Sequence, residues 1–314
     1  MNTKQTKTFA LLASSLVLAF WGCKDSGKTD SDNASPAGKA SAQAAKTGSD
    51  GVRIVAATYP VAWLGCEIVG NPCTPDALVP PGASAHSWEP KPSDMQRLEA
   101  ATVYIRSGLA FEEAWIPRFR STIPGLELVD ARGALDLHAQ EHRHGRGKGH
   151  SIEESDPHVW SSPRAMDRMA DFVAAGVFQA RPDLRERVDR HLPLVHAKLL
   201  ELDTAVRGLF APYSGKTFLV NHPGLGYLAR DYGLVQKALE SHGQELTPVA
   251  LWEARKAAKA HGVRAVFVQP EYSRRTADQV AKELGVGIVQ VDLLGDAPYD
   301  SLFLFCAKAM AERL

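Results

Sequence analysis

"LRERVDRHLPLVHAKLLELDTAVRGLF", residues 184–210, decides the fold. Its apolar spacing is helical from end to end, and the run is unusually long for a helix within a globular chain. Pro193 should kink it or mark its first turn. On both sides, short β-branched runs alternate with helical stretches. Upstream, "VRIVAA" (52–57), "DALVP" (76–80), "TVYIR" (102–106) and "LELVDA" read as strands. Between them, "PVAWLGCEIVG" is helical and stops at Gly70, "PSDMQRLEAA" is a helix capped by Ser93, and "FEEAWIPRFRS" is helical. A further helical pattern covers 163–179. Downstream come strands "TFLVN" (217–221), "LVQKALE", "AVFVQ" (265–269) and "GIVQV" (287–291). Helices follow them near "GLGYLARDY", at "TPVALWEARKAAKAHG", at "RRTADQVAKELG" and from about Pro298.

Strands alternating with helices argue for the α/β class, with parallel sheets covered on both faces. The expected architecture is two (β/α) lobes joined by a long rigid helix. The N-terminal α/β lobe covers 52–182, the linking helix 183–211 and the C-terminal α/β lobe 212–314. A helix, unlike a short flexible hinge, restricts how far the lobes open.

The first 51 residues stand apart. Lys4 and Lys7 precede an apolar stretch from Phe9 to Trp21, followed by Gly22 and Cys23. A charged region before a short apolar one reads as a secretory signal, residues 1–22. Its Gly-Cys end resembles a bacterial lipoprotein signal, with Cys23 as the lipidated residue. Residues 23–51 are small and polar and should form a flexible tether. The expected location is the periplasm or the outer cell surface, with membrane contact through the lipid alone. Of the remaining cysteines, Cys66 and Cys73 are close in sequence and are expected to pair in an oxidising compartment, while Cys306 reads as a buried free thiol. Lys+Arg and Asp+Glu both number 36, so no basic excess points to nucleic acid.

Four residues share one kind of place. His86 lies in the loop after strand 76–80, His158 precedes the helix starting at Pro163, His222 follows strand 217–221, and Asp292 follows strand 287–291. Open parallel sheets bind ligands beyond the carboxyl ends of their strands, so both lobes can converge on one cleft. Three imidazoles and a carboxylate complete a tetrahedral shell for Zn²⁺, whereas Mn²⁺ or Fe²⁺ favours more oxygen ligands. Ligands scattered this widely carry little weight by spacing alone.

From Val52 onward the chain resembles the zinc- and manganese-specific solute-binding proteins of bacterial ABC transporters. The similar stretches are "LVPPGASAHSWEPKPSD", "DPHVWSSP", "VNHPGLGYLARDYG" and "VQVDLLG", in the family's order. The resemblance implies two α/β lobes around a long helix, with metal ligands at His86, His158, His222 and Asp292. It also implies delivery of the ion to a membrane permease, and the chain is expected to act as a monomer. Members with Glu at the third place tend to take manganese, so His222 favours zinc. A histidine-rich segment commonly precedes the second ligand in zinc-binding relatives. Here "HAQEHRHGRGKGH" (138–150) supplies His138, His142, His144 and His150. Ordering so glycine-dotted a loop around an ion costs about 1–2 kcal/mol per residue, which suits a weak auxiliary binder better than the main site. Glu89, three residues past His86, is a candidate supporting acid. His191, His196, His242 and His261 read as structural or surface residues.

The alternatives are the same role for Mn²⁺ or Fe²⁺, a zinc-dependent hydrolase, and a surface adhesin or metal store. A catalytic zinc keeps one position open for water. Four protein ligands leave none, and neither HExxH nor GxSxG occurs. Ligation needs neutral imidazoles, so binding is expected to weaken as pH falls through about 6.

Overall fold

Strand β1 (Val52–Ala56) is buried at all but one of its positions, and a sheet grows on both sides of it. The computed structural model describes residues 52–134, 156–241, 244–245 and 247–314. The signal, the tether with Cys23, and the histidine-rich segment lie outside these. The first sheet also contains β2 (Cys73–Ala77), β3 (Val103–Arg106) and β4 (Glu127–Asp130), in the order β2-β1-β3-β4, all parallel. Helices α1 (Tyr59–Val69), α2 (Pro92–Glu99) and α3 (Ala110–Thr122) connect them. After α4 (Pro163–Ala180) and α5 (Arg185–Phe210), the plan repeats. Strands β5 (Thr217–Val220), β6 (Val235–Ala238), β9 (Ala265–Val268) and β10 (Gly287–Gln290) form a parallel sheet ordered β10-β9-β5-β6. Helix α6 (Gly226–Asp231) joins β5 to β6, and a two-stranded ribbon of β7 (Glu240–Ser241) and β8 (Gln244–Glu245) precedes α7 (Pro248–Ala260). Helices α8 (Arg275–Leu284) and α9 (Tyr299–Ala311) complete the fold. In each lobe the first strand lies inside the sheet, with its second strand on one side and its third on the other. That reversal of chain direction opens a crevice at the carboxyl edge.

Helix α5 is the spine. Val188, Val195, Leu199, Leu202, Val206 and Phe210 are buried along one stripe, and the helix packs on α1, α4 and α9. One hydrophobic core runs through it from Ile54 and Tyr104 in the first sheet to Phe218 and Phe267 in the second. Alternation along the strands sends Leu219 and Val266 to the opposite face, where they meet Ala258 and Val280 in a separate core. Pro193 lies inside α5 rather than in its first turn. Where α1 ends, Gly70 has φ of 68° and a Cβ would lie 2.3 Å from the His191 ring, so glycine alone fits. Arg187 of α5 donates there to the Val69 and Gly70 carbonyls, fixing the spine to the first lobe.

Two local expectations are corrected. The second strand is Cys73–Ala77, in register with β1 from Val52↔Cys73 to Ala56↔Ala77, not 76–80. As an edge strand it needs no apolar run, and the Cys66–Cys73 disulfide ties it to α1. Leu78 and Val79 are buried in the turn beyond, donating to the Ala56 and Ala57 carbonyls. Ser93 lies inside α2; the helix start is closed by Asp94, whose Oδ2 accepts from the Lys91 amide at 2.7 Å.

Candidate metal centre

Three histidines from three different loops meet at the carboxyl edges of the two sheets. His158 follows Asp156 and Pro157 in a tight segment that runs into α4. Asp156 Oδ1 accepts from the His158 amide at 3.0 Å and lies 2.6 Å from its Nδ1. The second lobe holds the same segment: Tyr227 donates to the Asp156 carbonyl at 2.8 Å and Tyr299 to the Trp160 carbonyl at 2.9 Å. The Ser162 hydroxyl caps α4 and donates to Asp231.

His222 directly follows β5 and Asn221. Asn221 Oδ1 accepts from the His222 and Gln269 amides at 3.0 and 2.9 Å, locking the ends of β5 and β9 together. The His222 Nδ1 lies 2.6 Å from Glu240 Oε1, and its ring stacks on Tyr272 with centroids 3.7 Å apart and planes 9° from parallel. A Cβ at Gly224 would lie 2.6 Å from Gln269 Nε2 and 3.2 Å from the His222 ring, so a side chain there would displace Gln269 beside the ligand. His86 is exposed, on the proline-rich loop between β2 and α2, with its amide donating to Ser84 Oγ at 3.3 Å.

The Nε2 atoms of His86 and His158 are 2.9 Å apart, and those of His222 and His158 are 3.2 Å apart. Two nitrogens on a tetrahedral zinc at roughly 2.0–2.1 Å lie about 3.3 Å from each other, so the spacing suits one shared ion. The carboxylates fix the chemistry. Asp156 and Glu240 each accept the Nδ1 proton, which leaves the Nε2 lone pairs of His158 and His222 facing one point. Lone pairs so close repel unless a proton or a cation stands between them. Burial holds the Glu240 carboxyl above its ordinary pKa.

The other predicted residues fall elsewhere. Among the described residues, His86, His158 and His222 are the one group of three or more potential ligands whose ligand atoms lie within 4.8 Å of each other. Asp292 is outside that group; its Oδ1 accepts from the Leu294 amide at 3.0 Å. It lies beside Glu271, whose carboxyl is pushed up to about 7 by burial and by the Asp292 charge. Cys306 is a free thiol, pushed up to about 11 by burial, and donates to the Asp292 carbonyl. Glu89 is exposed and is not part of the cluster. His191 packs on Gly70, His196 bridges Asp167 and Asp171 of α4, and His261 caps α7. His242, like His138, His142, His144 and His150, lies outside the described residues. Sequence reasoning missed Asp156, Glu240 and Tyr272. Only Asp156, two residues before His158, had a local signal.

Residues 54–313 match the family model described as ZnuA, zinc-uptake complex component A, periplasmic. The high-affinity zinc uptake system protein ZnuA of Bacillus subtilis is 28% identical over 249 residues, covering 75% of this chain and 76% of that one. The zinc-binding lipoprotein AdcA of Streptococcus pneumoniae is 25% identical over 259 residues, 80% of this chain but only 50% of AdcA, so the chain spans about half of that relative. A crystal structure of ZnuA superposes with a TM-score of 0.72 at 28% identity, covering 84% of this chain and 99% of the other.

Proposed function

The chain belongs to the family of periplasmic zinc-uptake complex component A proteins, and from that premise we propose that it captures Zn²⁺ outside the cytoplasm and delivers it to an ABC transporter permease. The observation that carries this reading is the convergence of three imidazole nitrogens, two of them with their protons held on carboxylate partners, the buried Asp156 and the part-buried Glu240. Nitrogen donors in this number suit zinc better than manganese or iron. Zinc is cargo here, and no bond is made or broken by the protein. The ligands are His86, His158 and His222. Asp292 takes the fourth place by turning its carboxylate from the Leu294 amide toward the cluster. The body, with lobes at 52–182 and 212–314 around a 183–211 link, works as a monomer. It is tethered through Cys23, with the 138–150 segment as an auxiliary attractor of ions.

Metal analysis of protein purified without added salts, followed by competition between zinc and manganese, tests the reading. One zinc per chain, not displaced by manganese, is expected. Retained manganese or iron, or undiminished zinc binding at pH 5, would count against it. Asp292→Ala should weaken binding; unchanged affinity would give the fourth place to solvent.

A further inference from the structure

The three histidines are held unequally. His158 and His222 are buried, each with Nδ1 on a carboxylate. His86 is exposed, and its loop turns on short-range bonds: Ala83 donates to the Pro80 carbonyl, Ser87 to the Ser84 carbonyl, and His86 to Ser84 Oγ.

Tyr272 stands opposite that loop. It comes from the second lobe, just past β9, and its ring lies flat on His222. The same ring has its centroid 6.3 Å from that of His86. Its hydroxyl faces Ser84, the residue that accepts the His86 amide. One side chain therefore addresses both a buried ligand and the loop that carries the exposed one.

We propose that Tyr272 is a positioning residue for zinc capture, the seat on which the His86 loop closes over an ion already held by His158 and His222. The inference rests on the zinc reading above. His158 and His222 are buried and His86 is exposed, so the buried pair takes the ion first. His86 arrives last and leaves first. The Tyr272 ring, stacked flat on His222, fixes the tilt of that ring. The hydroxyl holds Ser84, and with it the His86 backbone, within reach of the ion.

The test measures the rate at which zinc passes from the full-length protein to a chelator, for Tyr272→Phe and Tyr272→Ala. Apo thermal stability and the visible spectrum of the Co²⁺-loaded form are recorded alongside. Tyr272→Phe keeps the stack and removes the hydroxyl. It should release zinc about tenfold faster, at the low end for outer-shell partners of metal ligands, with apo stability unchanged. Tyr272→Ala should release faster still and alter the Co²⁺ spectrum. The gain from Tyr272→Phe should vanish in a His86→Ala background, where nothing remains to be seated. A Tyr272→Phe protein that holds zinc as long as the parent, or that accelerates release equally in both backgrounds, would overturn the inference. A parent that binds no zinc, or that is indifferent to His86→Ala, would instead overturn the three-histidine site itself.

Discussion

His86 and His158 bring their Nε2 atoms within 2.9 Å of each other, yet the molecule holds them by opposite means. His158 precedes the spine in the chain, but hydroxyls of the C-terminal lobe, from Tyr227 and Tyr299, grip its backbone on both sides. Its ring meets Trp160 edge-on at 5.4 Å and is fixed by Asp156. Mechanically it belongs to the same body as His222. His86 hangs from a loop at the edge of the first sheet and remains exposed. The site is a rigid, buried pair of nitrogens plus one nitrogen on an exposed loop. A carrier that must hold an ion and later surrender it needs such an asymmetry, because three fully buried ligands offer no place for release to begin.

The largest effects should fall on the rigid pair. A structural zinc site contributes about 10–16 kcal/mol over its ligands, so one buried ligand accounts for roughly 3 kcal/mol, on the order of a hundredfold in affinity. His158→Ala should lose at least that much by competition titration. His86→Ala should lose less, roughly tenfold, because it leaves the preset pair intact. If His86→Ala proved the more damaging, the comparison would break. The carboxylates rank between the two. Asp156→Asn and Glu240→Gln keep shape but can present an amide N–H to Nδ1, favouring the wrong tautomer; each should weaken zinc about 10–100-fold. The clamps follow. Tyr227→Phe and Tyr299→Phe should each lower apo stability by about 1 kcal/mol in urea unfolding. Ser84→Ala, in the exposed loop, should stay within about 0.5 kcal/mol of the parent. Equal losses from clamp and loop variants would mean that both segments are fastened alike.

Much of this was legible in the chain. The buried central strands announced themselves because both faces are apolar: "VRIVAA" became β1, "AVFVQ" became β9. The edge strand β2 did not, since "CTPDA" is covered on few sides and is pinned by a disulfide rather than by hydrophobic alternation. Strand ends pointed to His222 and Asp292 alike, and resemblance selected the same positions. Backbone position, however, does not say where a carboxylate turns, and Asp292 turns to the Leu294 amide. Glu240 and Tyr272 lie 18 and 50 residues beyond His222. They meet it only because β6 and β9 flank β5 in the sheet, a neighbour relation fixed by topology rather than by spacing. The tyrosine clamps were invisible for the same reason.

A further small effect concerns the footing of the rigid segment. Helix α4 continues from the His158 segment, and His196 of α5 clasps it, with Nδ1 2.6 Å from Asp167 and Nε2 3.2 Å from Asp171. Burial opposes protonation of His196, but the hydrogen bond and charge of Asp167, with Asp171 beyond it, win and hold its pKa above the ordinary histidine value. The folded state therefore binds this proton more tightly than the unfolded one. The stabilisation is fully present below the unfolded pKa of about 6.5 and is lost as pH rises through the higher folded value. All three groups are partly open to solvent, so no more than about 1 kcal/mol is at stake. In urea unfolding of the apo protein, His196→Gln should be less stable than the parent at pH 5.5, and the gap should narrow toward pH 8.5. A gap that widened with pH would mean that His196 supports α4 as a neutral ring, and the clasp would then be packing rather than charge.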